Sequence, residues 1–146
     1  MPRPLRFVAL TALVLLLLAA GFAAYVRLAP SDPARWHVDP LTVPDPTSPN
    51  FARVDRVVAA PSAEVAATIA ARAEAEGARV LDAGGGVTTW IARTPIMGYP
   101  DYVSIRLIPE GEGTRIVAFS RSRFGYGDRG VNRARLARWL PERREP

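Results

Sequence analysis

Tyr102 to Arg123 reads YVSIRLIPEGEGTRIVAFSRSR. Val103, Ile105 and Leu107 alternate with Tyr102, Ser104 and Arg106. Beyond a Pro-Glu-Gly-Glu-Gly step, Ile116 and Ala118 alternate with Arg115, Val117 and Phe119. A period of two places successive side chains on opposite faces of a strand. The stretch therefore predicts two antiparallel strands joined by a glycine-rich turn. Upstream, ARVLDAGGGVTTWIAR carries two further β-rich runs separated by Gly84-Gly85-Gly86, a second hairpin. Pro95, Gly98 and Pro100 make TPIMGYPD a loop between the hairpins.

Around these four strands the pattern changes. FARVDRVVAAP, from Phe51, suggests a short leading strand. In PSAEVAATIAARAEAEG, Val65, Ile69 and Ala73 recur every four residues and form one apolar helical stripe. Ser62 suits the N-cap, Glu64 falls in the first turn, and Gly77 is the stop. After Phe124 to Gly130, Asp128 suits the cap of a last helix that ends before Pro141, with Val131, Leu136, Ala137 and Leu140 as its apolar contacts. The order strand, helix, four strands, helix predicts an α+β domain. Its small antiparallel sheet carries both helices on one face.

Phe7 to Val26 holds no charge, a run of about twenty residues, the length a helix needs to cross a bilayer. It fits an uncleaved signal anchor. A cleaved signal ending near Gly21-Phe22-Ala23 is the alternative, and would release the domain to the periplasm. Arg3, Arg6 and the amino terminus precede the run, and Arg27 follows it. That bias favours a cytoplasmic N-terminus and, in a bacterium, an inner-membrane protein with a periplasmic domain. From Arg27 to Asn50 six prolines preclude a continuous helix or a central strand, so the stretch reads as a semi-rigid spacer holding the domain off the bilayer. Trp36 within it is expected to pack back on the domain, with the membrane interface, where indole rings are favoured, as the alternative. The expected organisation is a stub and membrane helix over 1–28, a spacer over 29–50, the domain over 51–140 and a tail over 141–146.

The net charge is +5 and all 19 basic residues are arginine. Nine arginines against three acids lie in 114–146, a basic end that attracts phosphate, anionic lipid or acidic protein surfaces. With no cysteine, disulfides and thiolate metal sites are excluded. The one histidine, His37, has no partner histidine and reads as spacer surface, so neither metal nor cofactor is expected. The arginines match no nucleic-acid-binding motif, and no nucleic-acid partner is expected.

The sites in view are three. SRSRFGYGDRG runs from a strand into a helix N-terminus, where glycines, unsatisfied N–H groups and guanidinium forks can hold an anion. Its candidate ligand set is Arg121, Arg123, Tyr126, Asp128, Arg129, Asn132 and Arg133. The bland alternative is that Asp128 pairs with these arginines and caps the helix. Asp101 and Asp128 are the acids on which a hydrolase or transferase would depend, although no histidine lies in the domain and no serine sits in a Gly-x-Ser-x-Gly elbow. Ile96, Met97, Tyr99 and Tyr102 place apolar groups near turns, where they would line a pocket, form the partner surface of an assembly module, or close over the core.

MGYPDYVSIRL together with SRSRFGYGDRGVNRARLARWL resembles the family known as domain of unknown function 1499. The resemblance rests on a Ser-x-Ser-Arg-x-Gly-x-x-Asp-x-Gly-x-Asn-x-x-Arg signature. Ser120, Ser122, Arg123, Gly125, Asp128, Gly130, Asn132 and Arg135 match it, and a Ser-Pro-Asn step falls at Ser48-Pro49-Asn50. Many members carry a cysteine after that Asn, where this chain has Phe51. The resemblance covers 49–140. It implies a small bacterial domain, often membrane-attached or exported, and implies no particular reaction.

Overall fold

The computed structural model describes residues 3–142. Residues 1 and 2 of the expected stub and 143–146 of the expected tail lie outside them. The elements are α1 (Arg3–Leu28), α2 (Pro33–Trp36), β1 (Phe51–Val58), α3 (Ser62–Ala75), β2 (Arg79–Gly84), β3 (Val87–Arg93), β4 (Pro100–Glu110), β5 (Gly113–Ser122) and α4 (Val131–Trp139). The four later strands form a meander, and β1 returns to pair with β5, giving the antiparallel order β1-β5-β4-β3-β2. The fold is α+β, in the element order that the sequence predicts.

Alternation sets the two faces. Val103 and Ile105 of β4, Ile116 and Ala118 of β5 and Trp90 of β3 point to the helices. There they meet Val65, Ile69 and Ala73 of α3 and Leu136, Trp139 and Leu140 beside α4 in one buried core. Both helices lie on this face, and the α3 stripe is buried as its spacing requires. Gly85 and Gly86, at φ +59° and +76°, turn the β2–β3 hairpin in the left-handed region that glycine enters freely. β4 runs further than the sequence suggests and includes Pro109. It is tolerated because β3 stops opposite Arg106, leaving no ladder bond for the missing N–H to make. Ser62 is not the cap of α3 but its first residue, after Pro61, and its hydroxyl pairs with Thr114 at 3.0 Å.

The opposite face corrects the spacer. Ile91, Tyr102 and Phe119 are buried there, and the proline-rich stretch lies across them as a strap. Asp32 caps the single turn of α2, accepting from the Ala34 N–H at 3.0 Å, and Pro33 starts it. Trp36 stacks on Tyr102 at 4.1 Å and 10°. His37, expected at the surface, lies within hydrogen-bond distance of Thr89 Oγ1 at 2.9 Å and of the Gly84 carbonyl at 3.1 Å. Arg106 holds Asp39 through two bonds of 2.8 and 3.0 Å, and Arg53 reaches the Pro40 and Val43 carbonyls and Asp45. The reason is hydrophobic: an aromatic sheet face left in water is unfavourable. A proline-stiffened segment also loses less entropy when it is ordered over that face.

α1 is long and apolar enough to cross a membrane, as both a membrane anchor and a signal sequence are. It is exposed along most of its length, and its C-terminal end docks on the domain. Val26 is fully buried, Phe22 contacts the Tyr99 ring and Tyr25 the Phe124 ring, each at 6.3 Å between centroids. Arg27 Nη2 donates to the Ile96 carbonyl at 2.5 Å.

Candidate functional site

The structure divides the expected ligand set three ways. Arg121, at the end of β5, and Arg123, just past it, do project to one side, as alternation requires, but it is the strap side. Arg121 lies over Trp36 at 4.7 Å and donates to the Arg35 carbonyl at 3.0 Å. Burial, then the Arg35 charge, push its guanidinium below the ordinary value. Arg123 donates to the Pro30 carbonyl at 2.8 Å and covers the Phe124 ring at 5.2 Å. Arg129, in the left-handed region at φ +51°, is exposed on the segment that leads over to the helix face, and Arg133 is exposed on α4. Tyr126 is 78% exposed. Asp128 and Asn132 turn inward.

What converges is polar and mostly buried. Asn132, inside α4, accepts from Ser120 Oγ at 2.5 Å and from Arg135 Nη1 at 3.2 Å. Its Nδ2 lies 3.0 Å from the Asn50 carbonyl, 2.9 Å from Ser122 Oγ and 2.6 Å from Asp128 Oδ2. Arg135 Nη2 donates to Asp101 Oδ2 at 2.8 Å, with both side chains 5% exposed or less. Asn50 Nδ2 closes the ring on the Gly125 carbonyl at 2.6 Å, and Ser48 Oγ donates to Asn50 Oδ1 at 2.7 Å. The serines, Asp128, Asn132 and Arg135 of the signature, with the Ser-Pro-Asn step, are thus one network joining β5, α4 and the start of β1. α4 begins at Val131 after Gly130. Asp128 still caps it from two residues ahead, accepting from the Gly130 and Asn132 N–H groups at 3.0 and 2.9 Å.

The two acids differ electrostatically. Burial raises the Asp101 carboxyl above its ordinary value, against the pull of Arg135 and Ser122. Burial also pulls Asp128 up, but the N–H groups of Asn132 and Gly130 outweigh it and hold that carboxyl below its ordinary value. Asp101 pairs with Arg135 and Asp128 caps the helix N-terminus, so both acids have structural work. Among the described residues no group of three or more His, Asp or Glu side chains is placed to hold a metal ion.

A cleft of about 410 Å³ opens above the network. Phe22 of α1, Tyr99, Phe124 and Val131 form its apolar walls, and Asp101, Ser122 and Asp128 its polar end. A second group collects around the docked end of α1. Arg93 donates to the Gly98 carbonyl at 2.8 Å. Its guanidinium is pushed below the ordinary value by burial, then by Arg79, with Arg123 and Arg27 adding to the effect and Tyr102 opposing it. Among the described residues, none of Arg27, Arg93 and Arg123 makes an ion pair. Sequence reasoning passed over Arg27 and Arg93 because they lie 66 positions apart and outside the arginine-rich stretch. The signal available was the position of Arg27, directly after the apolar helix.

The family model described as Protein of unknown function (DUF1499) matches residues 24–142. The chain belongs to this family. The DUF1499 match begins inside α1 and takes in the strap, consistent with a domain whose second sheet face is closed by residues before β1. No curated protein matches the chain. Among solved structures, the crystal structure of TTHA0849 from Thermus thermophilus is similar at 18% identity and a TM-score of 0.31, covering 60% of this chain and 83% of that one.

Proposed function

We propose that the protein is a single-pass component of a bacterial inner membrane, N-terminus in the cytoplasm. Its domain is a non-enzymatic module seated on the periplasmic surface, where it contacts anionic lipid head groups. The observation that carries this is the gathering of Arg27, Arg93 and Arg123 around the end of α1, with no carboxylate paired to them among the described residues. Phe22 lies four residues inside Val26, about 6 Å along the helix at about 1.5 Å per residue. With the uncharged run in hydrocarbon, the Tyr99 and Phe124 rings touching α1 stand at its edge and the guanidinium groups at head-group level. Arg93 and Arg123 each show one bond, to a backbone carbonyl, which leaves N–H donors of the five on a guanidinium for phosphate. Near an anionic surface each cation contributes about 1 kcal/mol, so three supply up to about 3 kcal/mol.

The test uses the full chain in vesicles containing spin-labelled phosphatidylglycerol or phosphatidylcholine. The wild type is expected to select phosphatidylglycerol, and Arg27→Gln with Arg93→Gln and Arg123→Gln to abolish that selection. Equal association of both lipids with the wild type refutes the head-group role.

A further inference from the structure

We infer that the cleft beside α1 is a binding site for a phosphate-free membrane lipid with a hydroxyl head, its head on the acidic floor and its apolar body towards the bilayer. The inference rests on the proposal that α1 spans the membrane, since Phe22 of α1 is one wall. A cavity of about 410 Å³ falls in the range of about 300–1,000 Å³ in which small molecules are held. Its walls are aromatic and continuous with the span: Tyr99 lies 6.3 Å from Phe22 and 5.9 Å from Phe124 between ring centroids. An apolar body can therefore enter from the acyl layer without crossing water.

The floor selects the head. Asp101 and Asp128 are two carboxylates, and among the described residues Arg135 is the one guanidinium bonded to either. The excess charge there is negative, and a phosphate entering it meets repulsion. Carboxylate oxygens and the Ser122 hydroxyl instead offer acceptor lone pairs to a donating hydroxyl. The network through Asn132 fixes these oxygens, so the acceptors are positioned before a ligand arrives. The arginines that receive anionic head groups lie outside this floor, around the end of α1.

The experiment reconstitutes the full chain in nanodiscs doped with a diazirine-bearing diacylglycerol or a diazirine-bearing phosphatidylglycerol, and maps the crosslinks after irradiation. The diacylglycerol probe is expected to label peptides containing Tyr99 and Phe124 several-fold more than the phosphatidylglycerol probe. Filling the cleft by Val131→Trp should lower that label several-fold while α1 stays labelled. Should the tryptophan variant not fold, Gly127→Leu fills the cleft from another side, where a Cβ meets nothing within 4 Å. Label in α1 with none in the cleft, equal labelling by both probes, or label unchanged in a folded filled variant each overturns the lipid site alone. Absence of label from α1 overturns the membrane seat and the lipid site with it.

Discussion

Replacing Arg135 by methionine tests whether the buried network is organised as its geometry indicates. Arg135 and Asp101 are 4% and 2% exposed, so removing the guanidinium strands a largely desolvated carboxylate at the foot of the cleft. Loss of one partner of a buried pair costs about 3–5 kcal/mol. Asn132 Oδ1 also loses a donor, although Ser120 remains on it. A domain of this size shifts by about 4–8 °C per kcal/mol, so the lower bound alone lowers Tm by about 12–24 °C. Urea unfolding of the full chain in mild detergent, followed by tryptophan fluorescence, measures the free-energy loss, with Trp139 on α4 inside the affected core.

The pH dependence separates this mechanism from simple loss of packing. Asp101 has a raised carboxyl in the folded state. Its contribution to stability is therefore lost as pH rises from the ordinary carboxylate value to the raised one. Without Arg135 the folded-state value climbs further, and the window of loss extends upward. The penalty of Arg135→Met should thus be smallest on the acid side, where the stranded carboxyl takes up a proton, and grow towards neutrality. Asp128, held below its ordinary value, loses stability as pH falls, but in wild type and variant alike, so it cancels from the difference. Asp101→Asn in the Arg135→Met background should recover about 1–3 kcal/mol relative to the sum of the single changes. A penalty under about 1 kcal/mol, well below the cost of an unpaired buried charge, or one flat with pH, refutes the argument.

Trp36→Ala removes the stack on Tyr102 and the ring beneath Arg121. It should cost about 3–5 kcal/mol and speed proteolysis between residues 31 and 50, and an unchanged cleavage rate would show that the strap does not depend on this ring. Gly113→Ala places a Cβ 2.5 Å from the Val58 carbonyl oxygen, a backbone atom that cannot swing aside. It should cost about 1–3 kcal/mol in the same urea assay, and a cost below about 0.5 kcal/mol, the range of neutral surface changes, counts against the β1–β5 register.

The sheet was legible because alternation is local: Val103, Ile105 and Leu107 announce a strand without reference to anything distant. The strap was not, because prolines describe what a segment cannot be rather than where it lies. A signal was nonetheless present. Ile116-Val117-Ala118-Phe119 is apolar on both phases of its alternation, the pattern of a strand covered on both faces. Two helices can cover only one face, so something else had to cover the other. The arginine set failed for a related reason. Arg121 and Arg123 share a face by strand parity, but the chain passes over to the helix side before Arg133, and no local rule records that crossing. Asp101 and Arg135, 34 positions apart, meet only through the docking of α4 on the sheet.

That docking bears on why the network is polar at all. A buried ion pair is a poor source of stability, since apolar residues of equal volume often do as well or better. Trp139, Leu136 and Leu140 already fasten α4 to the sheet by burial, so Asp101, Asn132 and Arg135 are not needed to hold the helix. What apolar packing cannot supply is direction. The network orients carboxylate and hydroxyl oxygens at the foot of the cleft and joins them through Asn50 to the chain entering β1 and through Gly125 to the loop beside the docked end of α1. Exchanging the polar set for apolar residues of similar volume should therefore keep the fold and its Tm while removing Asp101 from the cleft floor and releasing Ser122 and Asp128 from the Asn132 bonds that orient them, so that the diacylglycerol probe loses its preference over phosphatidylglycerol.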